Sequence, residues 1–574
     1  MTMAKDRPTN RTNALAPGRR ELIVIASPET DFRSTPSGVR AETADASAAA
    51  NEVSSVLKQA GARMQPLFGA TEERARARGE SVAAADSQLP DLAAFYYVEA
   101  DDDQLDSLAE SLARVEGIEA AYVKPPADLP AARLNDMAPD AAEPPSATPG
   151  FEARQGYLDV APGGIDARYA WTWPGGRGAG VRVIDCEWGW RFTHEDLAQN
   201  SSGVLVGSSL SYDADPTADT DNNRAVNHGT AVVGEIGGDV NSLGVTGIAP
   251  DASVGAASFA SFSSANAIIR AADKLAAGDI ILLEIHRPGP RHNFQSRSDQ
   301  LGYIAIEWWF DDFAAIRYAV GKGIIVVEAA GNGAEDLDDA IYGNRPAWFP
   351  AGWRNPFNPA NPSSEAVLVG AGAPPPGTHG RNHGTDRSRL GFSNYGRRVD
   401  CQGWGREVTT AGYGDLQGGS STDLWYSDRF SGTSSASPVV VGALACAQGV
   451  IRAQGGTLLT SGRAITVLRA SGSPQQDQPG RPATQRIGNR PNLRQLIPMV
   501  ADGWSNGRRV VRAHAKTPTQ QTWVILNGTG WIRVGPQSPD GATNTFAILC
   551  DALANSRTVD VLLHQGSITE ATLA

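Results

Sequence analysis

The chain has few of the residues that build metal sites and disulfide frameworks. Its 574 residues include 4 cysteines and 8 histidines, and the cysteines are scattered, without the close Cys or Cys–His spacing of a zinc site. Free cysteines are among the most buried residue types and pack as small apolar side chains. The sequence therefore predicts neither a structural zinc nor a disulfide-bonded fold. It predicts free, buried thiols at Cys186, Cys401, Cys446 and Cys550.

Long apolar runs are also missing. Residues 1–20 are polar, and the first apolar run after them, residues 22–26, is shorter than the apolar core of a secretory signal. No segment has the apolar length that spans a bilayer. We therefore expect no membrane partner, and a chain that is cytoplasmic or exported by a route that leaves no such signal.

The charge balance is acidic and limits the classes of partner. The 50 Lys and Arg residues against 63 Asp and Glu give a net charge of -13. Because nucleic acids and anionic membranes are also negatively charged, we expect neither as a partner. A chain of this length exceeds one compact core, so two to four domains are expected.

Residues 21–126 alternate between strand-like and helix-like stretches. ELIVIA, ARMQPLF, LAAFYYVEA and IEAAYV are strand-like, a helix is expected over residues 41–60, and a polar Ala- and Arg-rich connection follows the second strand. A second helix carries Leu105, Leu108 and Leu112 on one stripe. The order β-α-β-β-α-β predicts a ferredoxin-like domain.

Residues 151–500 show a different alternation. GVRVID, DIILLEI, IIVVEAAG and EAVLVGAGA are continuous apolar strands separated by helix-like stretches. Such strands are typical of a parallel sheet covered on both faces, so we predict a doubly wound α/β fold with functional groups at the carboxyl ends of strands.

Three further segments complete the domain plan. Residues 1–20 are predicted to be a disordered lead, and residues 127–150, rich in Pro, Ala and Asp, an exposed linker. Residues 501–574 are predicted to form a small β-rich accessory domain with one helix.

Four residues offer the parts of a nucleophilic catalytic site. Asp185 ends the strand GVRVID, His228 opens HGTAVVGEIGG, and Ser434 lies in the small-residue loop SGTSSASP before an apolar helix. Serine attack needs a base and a carboxylate that orients the base, and a helix N-terminus supplies backbone donors. Asn332, in AAGNG, adds an amide donor for an oxyanion.

With these residues in the order Asp, His, Ser, the chain resembles the subtilisin-like serine proteases. The resemblance implies a triad of Asp185, His228 and Ser434, an oxyanion hole of Asn332 and the Ser434 amide, and a serine endopeptidase that cleaves protein or peptide substrates through an acyl-enzyme. It also implies that region 21–126 is a propeptide, a folding chaperone and intramolecular inhibitor whose tail lies in the active site of a zymogen.

The same resemblance implies a substrate-binding strand. Its usual Ser-Leu-Gly-Gly corresponds to His286, Arg287, Pro288 and Gly289, and Gly331 is assigned to the same substrate-binding set. Arg287 would then form a cationic wall that favours acidic side chains. The alternative is a solvated arginine on a loop.

A structural calcium ion is a further implication. HEDL, which contains Asp196, and NSLGVTG, from Asn241, resemble the family's calcium-binding sequences. The implied ligands are Asp196, Asn241 and the carbonyl oxygens of Leu243 and Val245, which suit Ca²⁺. The alternative is an ordinary capped loop. No cofactor is expected for the chemistry itself.

One departure from the family follows the expected catalytic aspartate, where Cys186 and Glu187 replace a small residue and a glycine. A second carboxylate would raise the pKa of Asp185, so we expect Glu187 to turn away and form a salt bridge. Two other functions stay open: a narrow processing or regulatory protease held by its prodomain, and a non-catalytic binding scaffold. Labelling of Ser434 by a fluorophosphonate would separate the scaffold from an enzyme.

Overall fold

The structure is a computed structural model. It describes residues 18–36, 38–44, 46–130, 139–140, 142–501, 503–516, 521–527, 529–535, 539–564 and 566–574. The described residues therefore exclude positions 1–17 of the predicted lead and positions 131–138 and 141 of the predicted linker.

The N-terminal domain is built on a four-stranded antiparallel sheet. Its elements are β1 (Glu21–Ala26), β2 (Phe32–Thr35), β3 (Gly38–Ala41), α1 (Ser47–Ala60), β4 (Arg63–Pro66), α2 (Glu72–Val82), β5 (Phe95–Glu99), α3 (Leu105–Leu112) and β6 (Ile118–Lys124). The strand order is β4-β5-β1-β6, and α1 and α3 cover one face through a cluster of apolar side chains. This is the predicted ferredoxin-like arrangement.

Two parts of this domain were not predicted. The hairpin β2–β3 precedes α1, and α2 forms within the polar connection. Thr71 caps α2 by accepting a hydrogen bond from the amide of Arg74, and Ala75 and Val82 are buried. The buried positions are too few and the helix too polar for its periodicity to be visible in the sequence.

The central domain has the predicted doubly wound architecture. Its elements are α4 (Ala167–Ala170), β7 (Arg182–Glu187), β8 (Ser201–Val206), α5 (Asp221–Gly237), β9 (Ser253–Ser258), α6 (Ser264–Lys274), β10 (Ile280–Leu283), β11 (His286–Pro288), β12 (Tyr303–Ala305), α7 (Phe310–Gly321), β13 (Ile325–Ala329), β14 (Val367–Gly372), β15 (Cys401–Trp404), β16 (Val408–Ala411), β17 (Tyr426–Phe430), α8 (Thr433–Gln454), α9 (Ser461–Ala470) and α10 (Leu493–Val500).

Seven parallel strands form the main sheet, in the order β15-β14-β13-β10-β7-β9-β8. The strands β7, β10 and β13 are central and almost wholly buried, as their continuous apolar runs predict. Among the described residues, α8 is the one helix long and apolar enough to cross a bilayer, and its apolar window is wholly buried inside the protein.

The C-terminal part is a closed five-stranded barrel. Its elements are β18 (Gly503–Lys516), β19 (Gln521–Leu526), β20 (Trp531–Val534), α11 (Pro539–Ala554), β21 (Thr558–His564) and β22 (Ser567–Leu573), and the strand order is β18-β19-β20-β22-β21. The predicted β-rich character and single helix are confirmed. The long β18 and the last strand, β22, were not predicted.

A buried ion network joins the N-terminal sheet to the central domain. Lys124 Nζ lies 2.9 Å from Glu21 Oε2, 2.6 Å from Asp311 Oδ2 and 3.0 Å from Asp312 Oδ2, and Arg287 Nη2 lies 2.6 Å from Glu21 Oε1. Burial raises the pKa of Glu21, but the positive charges of Arg287 and Lys124 outweigh this effect and lower the pKa to about 2. Three carboxylates therefore share two cations away from water.

Replacing Lys124 with Met should destabilise the full chain strongly. The change leaves Asp311 and Asp312 buried without their closest cation, and breaking a buried pair in this way costs about 3–5 kcal/mol. The measurement is urea unfolding in a Ser434→Ala background. Arg114→Ala removes an exposed ion pair with Glu110 as the control, for which we expect a loss of about 0.5 kcal/mol or less. Equal losses in the two variants would contradict this account of the network.

Candidate active site

The site is built around the carboxyl end of β7, which reaches two residues further than the sequence indicated. Side chains alternate along a strand, so Asp185 and Glu187 project from the same face of the sheet. Cys186, between them, packs in the apolar cluster on the opposite face. The two carboxylates are therefore neighbours on the face that α5 covers.

Glu187, rather than Asp185, contacts the histidine. His228 Nδ1 lies 2.6 Å from Glu187 Oε2, and both side chains are wholly buried. Asp185 Oδ2 instead accepts a hydrogen bond from Trp190 Nε1 at 2.7 Å. The expectation that Glu187 turns away was wrong, and the place expected for Asp185 is taken by Glu187 because β7 continues to that residue.

The two carboxyl groups interact with each other. Burial and the neighbouring Glu187 raise the pKa of Asp185 well above its ordinary value. Burial also raises the pKa of Glu187, and the neighbouring Asp185 carboxyl group opposes this effect. Asp185 Oδ1 and Glu187 Oε1 have no hydrogen-bond partner in the described part of the chain. One proton carried by Asp185 would give both oxygens a partner.

His228 lies inside α5 rather than at its start. A Cβ at the next residue, Gly229, would come within 2.2 Å of the Gly189 carbonyl oxygen, so the strand end and the helix approach too closely for any side chain. Thr230 Oγ1 accepts a hydrogen bond from the amide of Arg191 at 2.9 Å. The sequence His-Gly-Thr therefore locks α5 onto the segment that follows β7.

Ser434 lies in the first turn of α8, after a turn that favours glycine. Gly432 has a φ of 115° and donates to the carbonyl oxygen of Gly405. Glu284 faces this turn and accepts a hydrogen bond from Ser437. Ser437 lies three residues after Ser434 and therefore on the same face of α8. Burial and the nearby Glu187 carboxylate raise the pKa of Glu284 well above its ordinary value, and the hydrogen bond from Ser437 lowers it.

Ser434 and His228, the predicted nucleophile and general base, are both wholly buried. Within the described ranges, Ser434 Oγ and His228 Nε2 have no hydrogen-bond partner. The His228 ring packs edge-on against Phe430, the last residue of the strand that leads to Ser434, with ring centroids 5.4 Å apart. Burial lowers the pKa of His228 to about 3, so the imidazole is neutral over the physiological range.

Asn332 is fixed to the start of α8. Its Oδ1 accepts hydrogen bonds from the amide of Thr433 at 3.0 Å and from Thr433 Oγ1 at 3.1 Å. Its amide nitrogen Nδ2 donates to Gln300 Oε1 at 3.5 Å. Gly331, with a φ of 96°, lies beside His286 and has no room for a side chain, because a Cβ would lie 2.8 Å from Asn394 Nδ2.

The end of the N-terminal domain runs into this site. The amides and carbonyls of Asp128 and His286 exchange two hydrogen bonds, of 3.0 and 3.1 Å, in an antiparallel bridge. The amide of Ser434 donates to the carbonyl oxygen of Pro130 at 3.4 Å. A segment expected to be an exposed linker is therefore docked, and Ala127 and Pro130 are buried.

Residues 176–461, which contain Asp185, Glu187, His228, Asn332 and Ser434, match the model of the subtilase family. The domain belongs to that family. The subtilase domain is a serine endopeptidase domain of the subtilisin-like kind. No curated protein sequence matches the chain.

Three similar solved structures can be named. The epidermin leader peptide processing serine protease EpiP from Staphylococcus aureus is 16% identical, with a TM-score of 0.45 over 83% of this chain and 97% of that chain. A cold adapted subtilisin-like serine proteinase is 20% identical, with a TM-score of 0.34; the match covers 55% of this chain and 89% of that chain. The patellamide maturation protease PatA is 20% identical, with a TM-score of 0.37; the match covers 55% of this chain and 94% of that chain.

Two residues expected in the substrate-binding strand of the subtilase domain have other contacts. Arg287 is 1% exposed and binds Glu21 and the carbonyl oxygen of Pro125, so it is neither a cationic wall of the cleft nor a solvated loop residue. The Gly289 amide donates to the carbonyl oxygen of Gly302. Among the described residues, His286 is the one whose backbone pairs with Asp128.

The residues expected to bind calcium hold one another instead. Asp196 accepts hydrogen bonds on Oδ1 from Asn241 Nδ2 at 2.7 Å and on Oδ2 from the Val245 amide at 2.6 Å. Asn241 Oδ1 accepts from the Leu243 amide at 2.8 Å. Because N–H groups already point at these oxygens, the arrangement does not fit a cation. The described residues contain no other group of His, Cys, Asp or Glu side chains suited to a metal.

A further carboxylate, Glu235, lies seven residues after His228 on α5 and is wholly buried. Neither of its oxygens has a hydrogen-bond partner within the described residues. Burial, and then the carboxylate of Glu284, raise its pKa well above the ordinary value. Tyr157 also faces it. No sequence signal distinguishes this glutamate from a solvent-facing one.

Replacing Glu235 with Gln should stabilise the protein increasingly as pH rises from 4 to 8. A carboxyl group whose pKa is raised by folding favours the folded state below its unfolded pKa, and this contribution is lost as pH rises toward the folded pKa. The neutral amide has no such loss. Urea unfolding at the two pH values measures the effect, with the exposed Glu110→Gln as the control. A difference from wild type that is constant with pH would contradict the prediction.

Proposed function

We propose that the subtilase domain hydrolyses peptide bonds with Ser434 as nucleophile, His228 as general base and Glu187 as the carboxylate that orients the base. The observation that carries the proposal is the 2.6 Å contact between Glu187 Oε2 and His228 Nδ1. A carboxylate on Nδ1 leaves Nε2 to accept the hydroxyl proton. Asp185 is not assigned this role, because its side chain bonds to Trp190.

The reaction follows from these positions. Ser434 Oγ attacks the carbonyl carbon of the substrate while His228 takes its proton and later gives it to the leaving amine. A water molecule then hydrolyses the ester and restores the hydroxyl. The Ser434 amide and Asn332 Nδ2 are assigned to the developing oxyanion, supported by their position at the start of α8.

Asp185 is assigned a positioning role as a neutral acid. It would donate a hydrogen bond to Glu187 and so keep the Glu187 carboxylate ionised and turned toward His228. The raised pKa of Asp185 and the unpartnered oxygens on the two carboxyl groups support this assignment. The site then carries one negative charge beside the imidazole rather than two.

The N-terminal domain is assigned the role of an intramolecular inhibitor, so that the chain is made as a zymogen. Residues 125–130 extend along the cleft, and the Pro130 carbonyl oxygen lies at the amide of the nucleophile. A substrate cannot occupy these positions while the tail does. This observation favours a protease held by its prodomain over a non-catalytic scaffold.

Two isosteric changes in β7 should have very different effects on activity. Glu187→Gln should lower kcat/KM for a peptide substrate by about 10⁴-fold, because the amide cannot stabilise the imidazolium that forms. Asp185→Asn should cost less than about 10-fold, because a neutral amide can still donate to Glu187. Both variants keep every described contact of the prodomain, so its inhibition affects them equally.

Labelling with a fluorophosphonate gives an independent readout. Ser434→Ala should abolish labelling, and Glu187→Gln should slow it far more than Asp185→Asn. If Asp185→Asn is the more damaging change, Glu187 is not the orienting carboxylate. If the wild-type chain is neither labelled at Ser434 nor active on any peptide, the scaffold alternative stands.

A further inference from the structure

The outer face of the C-terminal barrel carries a cluster of aromatic rings that crosses three adjacent strands. His514 of β18 pairs with Trp523 of β19, and Trp523 pairs with Arg533 of β20. Trp531, two residues before Arg533, lies on the same side of the sheet because side chains alternate along a strand. The ring centroid of His514 lies 5.9 Å from that of Trp523 and 6.0 Å from that of Trp531. The three rings are therefore neighbours on one surface.

This surface faces away from the barrel core. Val524 and Ile532, the residues that follow Trp523 and Trp531, are buried and belong to the core. Trp531 is 48% exposed, Trp523 is partly exposed and His514 is exposed. Two tryptophan rings are therefore accessible to a ligand on the side of the sheet that the core does not use.

Cationic side chains flank the rings. Arg512 and Lys516 alternate with His514 along β18, so they project from the side that carries the rings. Arg533 lies on that side of β20, next to Trp523. Cross-strand aromatic pairs stabilise a sheet through contact between the rings, a role that needs none of these cations. The combination of rings and cations therefore indicates more than sheet stability.

The charges of the barrel are separated. Residues 503–574 contain six Lys and Arg residues and four Asp and Glu residues. The four acidic residues lie on α11, β21 and β22, and the sequences of β18, β19 and β20 contain none. The expectation of no nucleic-acid partner came from the net charge of -13 of the whole chain, which averages over this separation. Five of the six basic residues lie on β18 and β20: Arg508, Arg509, Arg512, Lys516 and Arg533.

Flat rings flanked by cations suit a ligand that has both planar groups and negative charge. Single-stranded nucleic acid has both, because its bases stack on aromatic side chains and its phosphates pair with Arg and Lys. In a duplex the faces of the bases are stacked on one another and cannot reach a tryptophan. A neutral oligosaccharide would stack on the rings but would leave the cations without a partner.

We propose that the outer face of β18, β19 and β20 binds single-stranded nucleic acid, with bases stacked on Trp523 and Trp531 and phosphates paired with Arg512 and Arg533. Stacking of this kind tolerates any base, so the binding does not depend on the nucleotide sequence. The inference does not rest on the proposed function, since all four residues lie outside the subtilase domain.

The test is the fluorescence anisotropy of a labelled oligothymidine of about 15 nucleotides, titrated with the full chain in a Ser434→Ala background. We expect a Kd on the order of 10 μM or tighter in about 50 mM NaCl, and weaker binding of a DNA duplex of equal length. Trp531→Ala should weaken binding of the oligothymidine by about 5-fold or more, and Trp531→Phe should stay within about 2-fold of the parent, because the ring is kept.

The dependence of Kd on salt separates a lost phosphate contact from a general loss of stability. Arg512→Ala should reduce the slope of log Kd against log salt concentration by about 0.7, the contribution of one phosphate contact on a single strand. Arg557→Ala is the matched control, because this exposed arginine lies between α11 and β21. It should leave both the Kd and the slope unchanged.

Three results would overturn the proposal. One is no saturable binding of the oligothymidine up to about 100 μM protein. Another is binding that Trp531→Ala leaves unchanged, or equal affinity for heparin, a polyanion without bases, since either would mean that charge alone is recognised. The third is binding of the neutral sugar cellohexaose in place of the oligothymidine. Circular dichroism of each variant checks that the barrel stays folded, and the comparison of Trp531→Phe with Trp531→Ala shows whether the ring itself matters.

Discussion

The buried hydrogen bond between His228 and Glu187 is the interaction on which the site depends. Both side chains are fully removed from water, so each satisfies a group that would otherwise be costly to bury. The bond forms because β7 extends to Glu187. It also depends on Gly229, whose lack of a side chain lets α5 approach the segment that follows β7. Asp185 lies behind the pair and accepts a hydrogen bond from Trp190. In the proposed mechanism, a proton on the Asp185 carboxyl group limits the negative charge beside the imidazole.

The segment from β10 to β11 contacts both the tail and the sheet of the N-terminal domain. The backbone of His286 pairs with the tail of the N-terminal domain at Asp128, whereas the next side chain, Arg287, projects to the other side and binds Glu21 of the N-terminal sheet. Alternation along an extended chain produces this division. Loss of the N-terminal domain would therefore expose the cleft and leave Arg287, Asp311 and Asp312 without their partners Glu21 and Lys124.

The sequence predicted the architecture better than it predicted the details of the site. Continuous apolar strands and the Leu105 stripe were enough to predict both main folds. The identity of the carboxylate was not predictable, because Asp185 and Glu187 share one face of β7 and only the end of the strand decides which meets the imidazole. Arg287 was misassigned because its partner, Glu21, is remote in sequence.

The most direct measurement of the central contact is the proton NMR resonance of the His228 Nδ1–H, assigned by its loss in His228→Ala. An N–H that donates to a buried carboxylate resonates at unusually low field. The account predicts that this resonance stays in place in Asp185→Asn and moves upfield or disappears in Glu187→Gln. A resonance that is unchanged in Glu187→Gln and lost in Asp185→Asn would contradict it.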